Sequence, residues 1–281
     1  MKKSTWWIVG VVVVVVIILV ISGTTRSTET GPIKIGMITP LSGNVVALGE
    51  LMKQVTDIAV SEVNDAGGVN GRPLSILYED DQCTPAKSVS AVQKLIDIDK
   101  VKIVIGSSCS GSVLSVLPIT DKDKVFLISG SATSPALNNK SQMFVRTIAN
   151  DDTEGLVLAE MAISKGWKKI GFLQENSDYA LGLYNAFTKN YPESVGTIIH
   201  EEYPESTTDF RSVLTKIRAA KPDALFIAPQ SPATSQRILT NLAQLKWVVP
   251  LMADHVVSGA WTIKHILKHN MTLCIFCAMD W

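Results

Sequence analysis

Short apolar runs rich in β-branched residues take turns with longer segments of helical period between residues 33 and 251. Most of the apolar runs are continuous rather than alternating in polarity, as strands covered on both faces must be. The runs predict strands at 33–39, 74–80, 102–106, 125–129, 169–175, 195–202, 224–228 and 248–252.

The longer segments predict helices, because their apolar residues recur at helical spacing. In the segment 209–219, Phe210, Leu214 and Ile217 share one face, whereas Arg211 and Arg218 lie on the other. The predicted helices are 47–64, 85–97, 110–120, 151–164, 180–189, 209–219 and 233–245. Regular alternation of strands and helices predicts an α/β protein with parallel sheets flanked by helices.

The alternation restarts after residues 143–152, which follow a long polar loop. We therefore expect two similar open sheets in series, with a cleft between them. The predicted domains are a first lobe at 32–148, itself incomplete, and a second lobe at 149–254.

Residues 1–23 form a separate segment with two lysines followed by an uninterrupted apolar run, WWIVGVVVVVVIILVI. As a helix this run spans roughly 24 Å, between the length of a signal-peptide core and that of a full membrane span. We expect an uncleaved membrane anchor, with a cleaved signal peptide as the alternative. The excess of lysine before the run places the body outside the cytoplasm, after a short linker at 24–31.

Charge and composition exclude several functional classes. Lys plus Arg number 26 and Asp plus Glu number 26, so the formal net charge is zero. No long-range field therefore recruits nucleic acid or an anionic membrane surface. A hydrophobic content of 46% with 19% charged residues indicates a globular body rather than a disordered one.

Three predicted strands end in small, hydroxyl-rich loops: TPLSGN (39–44), GSSCSGS (106–112) and SGSATS (129–134). In open α/β sheets, ligands bind beyond the carboxyl ends of strands, where helix amino termini present N–H groups. Ser110 or Thr133 can add hydroxyl donors to a carboxylate bound there. The alternative is that these residues serve only as helix caps and turn residues.

Enzymatic motifs are incomplete in this sequence. GSSCSGS differs from a nucleophile elbow, because Ser110 stands where G-x-S-x-G requires glycine. The glycines of AGGVNGRP (66–73) follow a helix and precede a strand, the reverse of a dinucleotide-binding fingerprint. His265 and His269 precede Cys274 and Cys277, but the spacing fits neither a zincin nor a zinc finger. We expect no catalysis, no metal and no cofactor.

Cys83 follows the second predicted strand and Cys109 follows the third. If these strands are close in the sheet, the two sulfur atoms can meet, and a disulfide suits a body outside the membrane. Two buried thiols are the alternative.

The segments TPLSGNVVALGE, VIGSSCS, SATSPAL, FVRT, ENSDYALGL and LMAD occur in an order that resembles the branched-chain amino-acid binding proteins of ABC importers. The resemblance covers about residues 33–259. It implies a two-lobed type I periplasmic-binding-protein fold, an amino-acid ligand captured by lobe closure, and ABC permease subunits as partners of a monomeric receptor. A sensor domain of the same fold and an inactive truncated fragment are the alternatives.

The resemblance also implies a set of ligand-binding residues and a disulfide. Hydroxyl and backbone groups of the first lobe would hold the ligand, Tyr179 would close over it, and an acidic residue would meet its ammonium. Asp254 is that acidic residue, or His255 stands in its place if the correspondence shifts by one position. The implied ligand-binding residues are Ser110, Ser131, Ala132, Thr133, Tyr179, Gln230 and Asp254, and the implied disulfide joins Cys83 to Cys109.

This sequence departs from the family pattern at three places. Leu48 stands where some relatives have an aromatic residue, and Gln230 and Ser231 stand where some have tyrosine. Relatives continue beyond the point at which the pattern ends here, so we expect residues 255–281 to be an aberrant or truncated tail. The identity of the ligand therefore stays open at this point.

Overall fold

The computed structural model describes residues 31–258 and 273–275, in which strands and helices alternate. The first half contains β1 (Ile33–Thr39), α1 (Val46–Asp65), β2 (Leu74–Asp80), α2 (Pro85–Asp97), β3 (Ile103–Ile105), α3 (Ser110–Asp123), β4 (Phe126–Ser129) and β5 (Phe144–Arg146). The second contains α4 (Asp151–Ser164), β6 (Lys169–Glu175), α5 (Asp178–Asn190), β7 (Thr197–Tyr203), α6 (Arg211–Ala219), β8 (Ala224–Ala228), α7 (Pro232–Gln244), β9 (Leu251–Ala253) and β10 (Leu273–Ile275). Short 3₁₀ turns occupy Pro135–Leu137 and His255–Ser258.

The strands form two five-stranded sheets in which the paired neighbours are parallel. The first sheet has the order β2-β1-β3-β4-β5, and the second has the order β10-β9-β8-β6-β7. This confirms the predicted α/β class with parallel sheets flanked by helices. The boundaries assigned to the lobes stay a prediction.

Strand β8 shows why the apolar runs are continuous. Leu225 and Ile227 belong to the core beneath α6 and α7, whereas Phe226 points to the opposite core, beneath α4 and α5. Every residue of β8 is therefore buried, and neither face has room for a polar side chain. In the first lobe, apolar residues of α2 and α3 pack on the sheet in one cluster that includes Leu95 and Val113.

The clearest differences from the predicted strands are one displaced strand and one strand that was not predicted. The last one was expected at 248–252, but β9 begins at Leu251, because Pro250 has no N–H to donate and Val248 is exposed. Strand β5 was not predicted, since its three residues lie within the segment that we expected to join the lobes. It nevertheless pairs with β4, Leu127 opposite Phe144.

The predicted membrane anchor at 1–23, the linker up to residue 30 and most of the predicted tail lie outside the described residues. Within residues 31–258 and 273–275, no helix combines the length and the apolar character that a membrane span requires.

Candidate functional site

A cavity of about 230 Å³ lies between the carboxyl ends of the two sheets. Both lobes contribute to its wall, from residues that follow β1, β3, β4 and β5 in one lobe and β6, β8 and β9 in the other. Its volume is below the roughly 300–1,000 Å³ typical of drug-sized pockets, so it suits a smaller molecule. The wall consists of Val45, Leu48, Ser108, Cys109, Ser110, Ser131, Ile148, Tyr179, Gln230, Pro232, His255 and Val256.

Three helices begin at this wall. Ser110 is the first residue of α3, Tyr179 is the second of α5, and Pro232 is the first of α7. Ser177 and Ser231 cap α5 and α7 through their side chains, which fixes the direction of each helix start. Because unsatisfied N–H groups give a helix amino terminus partial positive charge, the three starts together favour an anion.

Hydrogen bonds fix the serine-rich loops of the first lobe against each other. The Ser131 hydroxyl donates to the Ser108 carbonyl at 2.9 Å, and the Ser134 N–H donates to the Ser110 hydroxyl at 3.2 Å. Two of the three hydroxyl-rich loops seen in the sequence therefore meet at one place. Their hydroxyl groups are held in position before any ligand arrives.

Cys83 and Cys109 lie beside this wall and are joined in the structure, with Cα atoms 5.5 Å apart. The buried Asp81 carboxylate organises the same corner: it accepts from the Cys83 N–H at 3.0 Å and from the hydroxyls of Ser88 and Ser107. Burial raises the pKa of Asp81 despite these donors. The Cys83–Cys109 bond joins the loop after β2 to the start of α3.

Tyr179 and His255 form the second-lobe side of the cavity. Their rings meet edge to face at 5.8 Å between centroids. The Nδ1 of His255 donates to Glu154 Oε2 at 2.9 Å, and the His255 backbone N–H donates to the other Glu154 oxygen at 3.1 Å. The imidazole is therefore held in one orientation by a buried carboxylate.

Two further carboxyl groups, Asp151 and Asp254, are buried behind this wall. Among the residues that the structure describes, Asp151 Oδ2, both oxygens of Asp254 and the Thr133 hydroxyl make no well-directed hydrogen bond, although Thr133 adjoins Asp151 and Tyr179 adjoins Asp254. Burial, followed by the charge of Glu154, raises the pKa of Asp151 to about 7. The same two causes raise the pKa of Asp254 well above its ordinary value.

The pKa of His255 is raised too, but for a histidine a raised pKa favours the charged form. Burial disfavours its charge, but the hydrogen bond and charge of Glu154, with Asp254 and Asp151 nearby, outweigh burial and raise the pKa of His255 to about 9. At neutral pH this side of the cavity therefore has an imidazolium paired with Glu154, and burial disfavours the charged form of Asp254 behind it.

Asp151, Glu154 and His255 also place one possible metal ligand each within 4.8 Å of one another. A histidine binds a metal through a nitrogen that carries no proton. Because Nδ1 of His255 donates to Glu154, that nitrogen is protonated, so the arrangement suits an ion pair better than a metal centre.

The structure distributes the predicted binding residues between the wall and the layer behind it. Ser110, Ser131, Tyr179 and Gln230 line the cavity, together with Leu48. Ala132, Thr133 and Asp254 are buried and are not part of the wall. His255 lies on the wall, at the alternative position for the residue facing the ammonium. These roles stay predictions.

Sequence reasoning missed Asp151 and Glu154. Both lie in the first turn of α4, after the capping residue Asn150, where acidic residues are common for helix stability alone. Their position therefore gave no signal of a site. Only the approach of the loop after β9 shows that they face His255.

A family model described as periplasmic binding protein matches residues 32–246 of this chain. The chain belongs to the periplasmic binding protein family. An amino acid binding protein of Pseudomonas aeruginosa is 27% identical over 205 residues, which are 71% of this chain and 54% of that protein. The chain thus spans about half the length of the curated relatives it matches.

Solved structures agree with the fold. The branched-chain amino acid substrate binding protein LivJ of Streptococcus pneumoniae, solved with isoleucine, has a TM-score of 0.74 and 26% identity, over 83% of this chain and 67% of that one. A solute binding protein of Rhodopseudomonas palustris, solved with 4-hydroxybenzoate, also has a TM-score of 0.74, with 24% identity over 81% of this chain and 62% of that one.

Proposed function

We propose that this chain is an extracytoplasmic solute-binding receptor that captures a small carboxylate-bearing molecule between its two lobes and delivers it to an ABC importer. The supporting observation is the cavity between the carboxyl ends of the two sheets, with a wall drawn from both lobes. Capture by closure requires no covalent step. The named function of the amino-acid binding relatives supports the same reading.

The residues that line the cavity supply the interactions that would bind the ligand. The Ser110 hydroxyl, which accepts from the Ser134 N–H and keeps its own proton to donate, and the start of α3 replace the water around a carboxylate. The Ser131 hydroxyl donates to the Ser108 carbonyl and so fixes the loop beside them. Val45, Leu48 and Ile148 supply an apolar surface for the rest of the molecule. Tyr179 closes the cavity from the second lobe.

The location and partners belong to the same proposal. We place the receptor outside the cytoplasm, tethered by residues 1–23, with permease subunits as its membrane partners and with a single chain as the active form. An oxidised Cys83–Cys109 pair suits that compartment.

A thermal-shift screen of the full chain in mild detergent tests the proposal. The panel contains amino acids and other small carboxylates at millimolar concentration. A ligand at about 100 times its Kd stabilises the folded state by about 2.7 kcal/mol, which for a chain of this size raises Tm by roughly 5–10 °C.

Ser110→Ala and Ser131→Ala should reduce that shift, because each removes a hydroxyl from the wall. Ser90→Ala is the matched control, since the Ser90 hydroxyl is exposed on α2 and bonds only within its own helix at Ala86. The proposal is wrong if no carboxylate in the panel raises Tm of a cooperatively melting sample.

A further inference from the structure

The polar side chains on the cavity wall are hydroxyls, one amide and one imidazole. Among the lining residues that the structure describes, no carboxylate is present. The six polar groups belong to Ser108, Ser110, Ser131, Tyr179, Gln230 and His255. An amino acid brings an ammonium as well as a carboxylate, and a buried ammonium needs a negative partner. The lining residues within 31–258 do not offer one.

The nearby carboxyl groups are all behind the wall. Asp254 is 0% exposed, Asp151 is 1% exposed and Glu154 is 4% exposed. Glu154 already accepts two hydrogen bonds from His255. Glu175 is buried too, and it accepts from the Gln230 backbone N–H at 3.0 Å. His255 lines the cavity, whereas none of these carboxyl groups does.

The same wall favours negative charge. The His255 side chain is 42% exposed and carries the charge that its ion pair with Glu154 stabilises. The starts of α3, α5 and α7 point their partial positive charge at the cavity. The other lining residues, including Val45, are mostly apolar. Hydroxyl groups, helix starts and an imidazolium match one carboxylate, and the apolar surface matches an uncharged body.

We infer that the ligand is a small monocarboxylate with an apolar body and no ammonium group. This inference rests on the proposed receptor function and names the chemical class of its ligand. Of the two positions that the family resemblance allows for the partner of an ammonium, Asp254 is buried behind the wall, and the alternative, His255, lines the cavity with an imidazole in place of a carboxylate.

Matched pairs of ligands test the inference on the full chain by isothermal titration and thermal shift. Leucine is compared with 4-methylpentanoate, which lacks only the ammonium, and phenylalanine with 3-phenylpropanoate. The corresponding amine, 3-methylbutylamine, has the ammonium without the carboxylate. We expect each acid to bind roughly 10- to 100-fold more tightly than its amino acid, the range expected for one hydrogen bond to a charged group, and the amine to give no shift.

Two variants separate the roles of the neighbouring residues. His255→Gln keeps a hydrogen-bond donor toward Glu154 but removes the positive charge. It should weaken binding of the acid ligand by about tenfold or more. Asp254→Asn should change acid affinity far less than His255→Gln does, because Asp254 is fully buried and does not line the cavity. The pH profile of the unaltered protein needs no variant. Affinity should fall as pH rises through about 9, where His255, which faces Glu154, Asp151, Asp254 and Tyr179, loses its proton.

Tighter binding of leucine than of 4-methylpentanoate, with loss of leucine binding in Asp254→Asn, would overturn the inference while leaving the receptor function intact. In that case Asp254 reaches the ammonium after all. If no member of either pair binds, the inference and the receptor function both fail.

Discussion

Gly182 offers a test of lobe closure that does not touch the cavity. It lies on α5 of the second lobe, and a Cβ added there would be 2.6 Å from the Ser134 hydroxyl and 3.0 Å from Pro135 Cδ, both in the first lobe. Ordinary contact begins at 3.4 Å. The lobes would therefore have to separate by 3.4 − 2.6 = 0.8 Å at this point to accept Gly182→Ala.

The expected effect of Gly182→Ala is a loss of affinity with little loss of stability. An extra methyl group in a packed interface costs about 1–3 kcal/mol, and each 1.4 kcal/mol is about a tenfold change in Kd. We expect roughly 5- to 100-fold weaker binding of the panel molecule that shifts the unaltered protein most. Without ligand the cleft can open and relieve the contact, so Tm of the free protein should stay within about 2 °C.

Gly171→Ala is the matched control. Its Cβ would lie 2.5 Å from Ile217 Cγ2 and 3.3 Å from Leu225 Cδ1, inside the second lobe's own core. This variant should lower Tm and leave Kd unchanged. Isothermal titration and thermal melts of both variants are the assay. If Gly182→Ala instead lowers Tm like Gly171→Ala and binds with unaltered Kd, then Gly182 serves only in packing and closure at this contact is refuted.

Three further variants test the surroundings of the cavity. Replacing Cys83 and Cys109 by serine opens a loop with a sequence separation of 26, and the chain-entropy relation then predicts a loss of about 3.5 kcal/mol in the free energy of urea unfolding relative to the unreduced parent. Equal stability of the variant and the unreduced parent would show that the thiols are not joined in solution. Thr133→Val removes a hydroxyl that lowers the pKa of the buried Asp151, so the Asp151 pKa, followed by NMR titration, should rise. An unaltered Asp151 pKa would show that the hydroxyl does not reach this carboxyl group. The pKa of Asp151 is raised from 3.8 to about 7, so its ionisation opposes folding as pH rises through that interval. Asp151→Asn should therefore reduce the fall of Tm between pH 5 and pH 8. An equal fall of Tm in variant and parent would contradict this.

The sequence predicts the fold well, because strands covered on both faces appear as continuous runs of apolar residues. The bounds of α2 and α4 agree with the predicted 85–97 and 151–164. Strand β5 has no such apolar run, since its three residues lie at a sheet edge and none of them is buried. A strand that is only partly covered has no need of a continuous apolar run.

The candidate site was predictable only as far as strand ends identify it. Ser110 and Ser131 follow strands in hydroxyl-rich loops, and both line the cavity. Pro232 and Ile148 also line it, but an apolar residue after a strand is indistinguishable in sequence from one that packs in the core. Which residues of the two lobes face each other cannot be predicted from local sequence patterns.

The chemistry of the ligand depends on which way two adjacent side chains point. Ala253 ends β9, and the chain then enters a 3₁₀ turn at His255, so Asp254 and His255 face different directions. Asp254 points into the protein, where burial raises its pKa, and His255 lines the cavity, where Glu154 helps to raise its pKa to about 9. With the opposite arrangement, a carboxylate side chain would line the cavity and could bind the ammonium of an amino acid. A change of one residue in register therefore decides between a receptor for amino acids and a receptor for simple carboxylates.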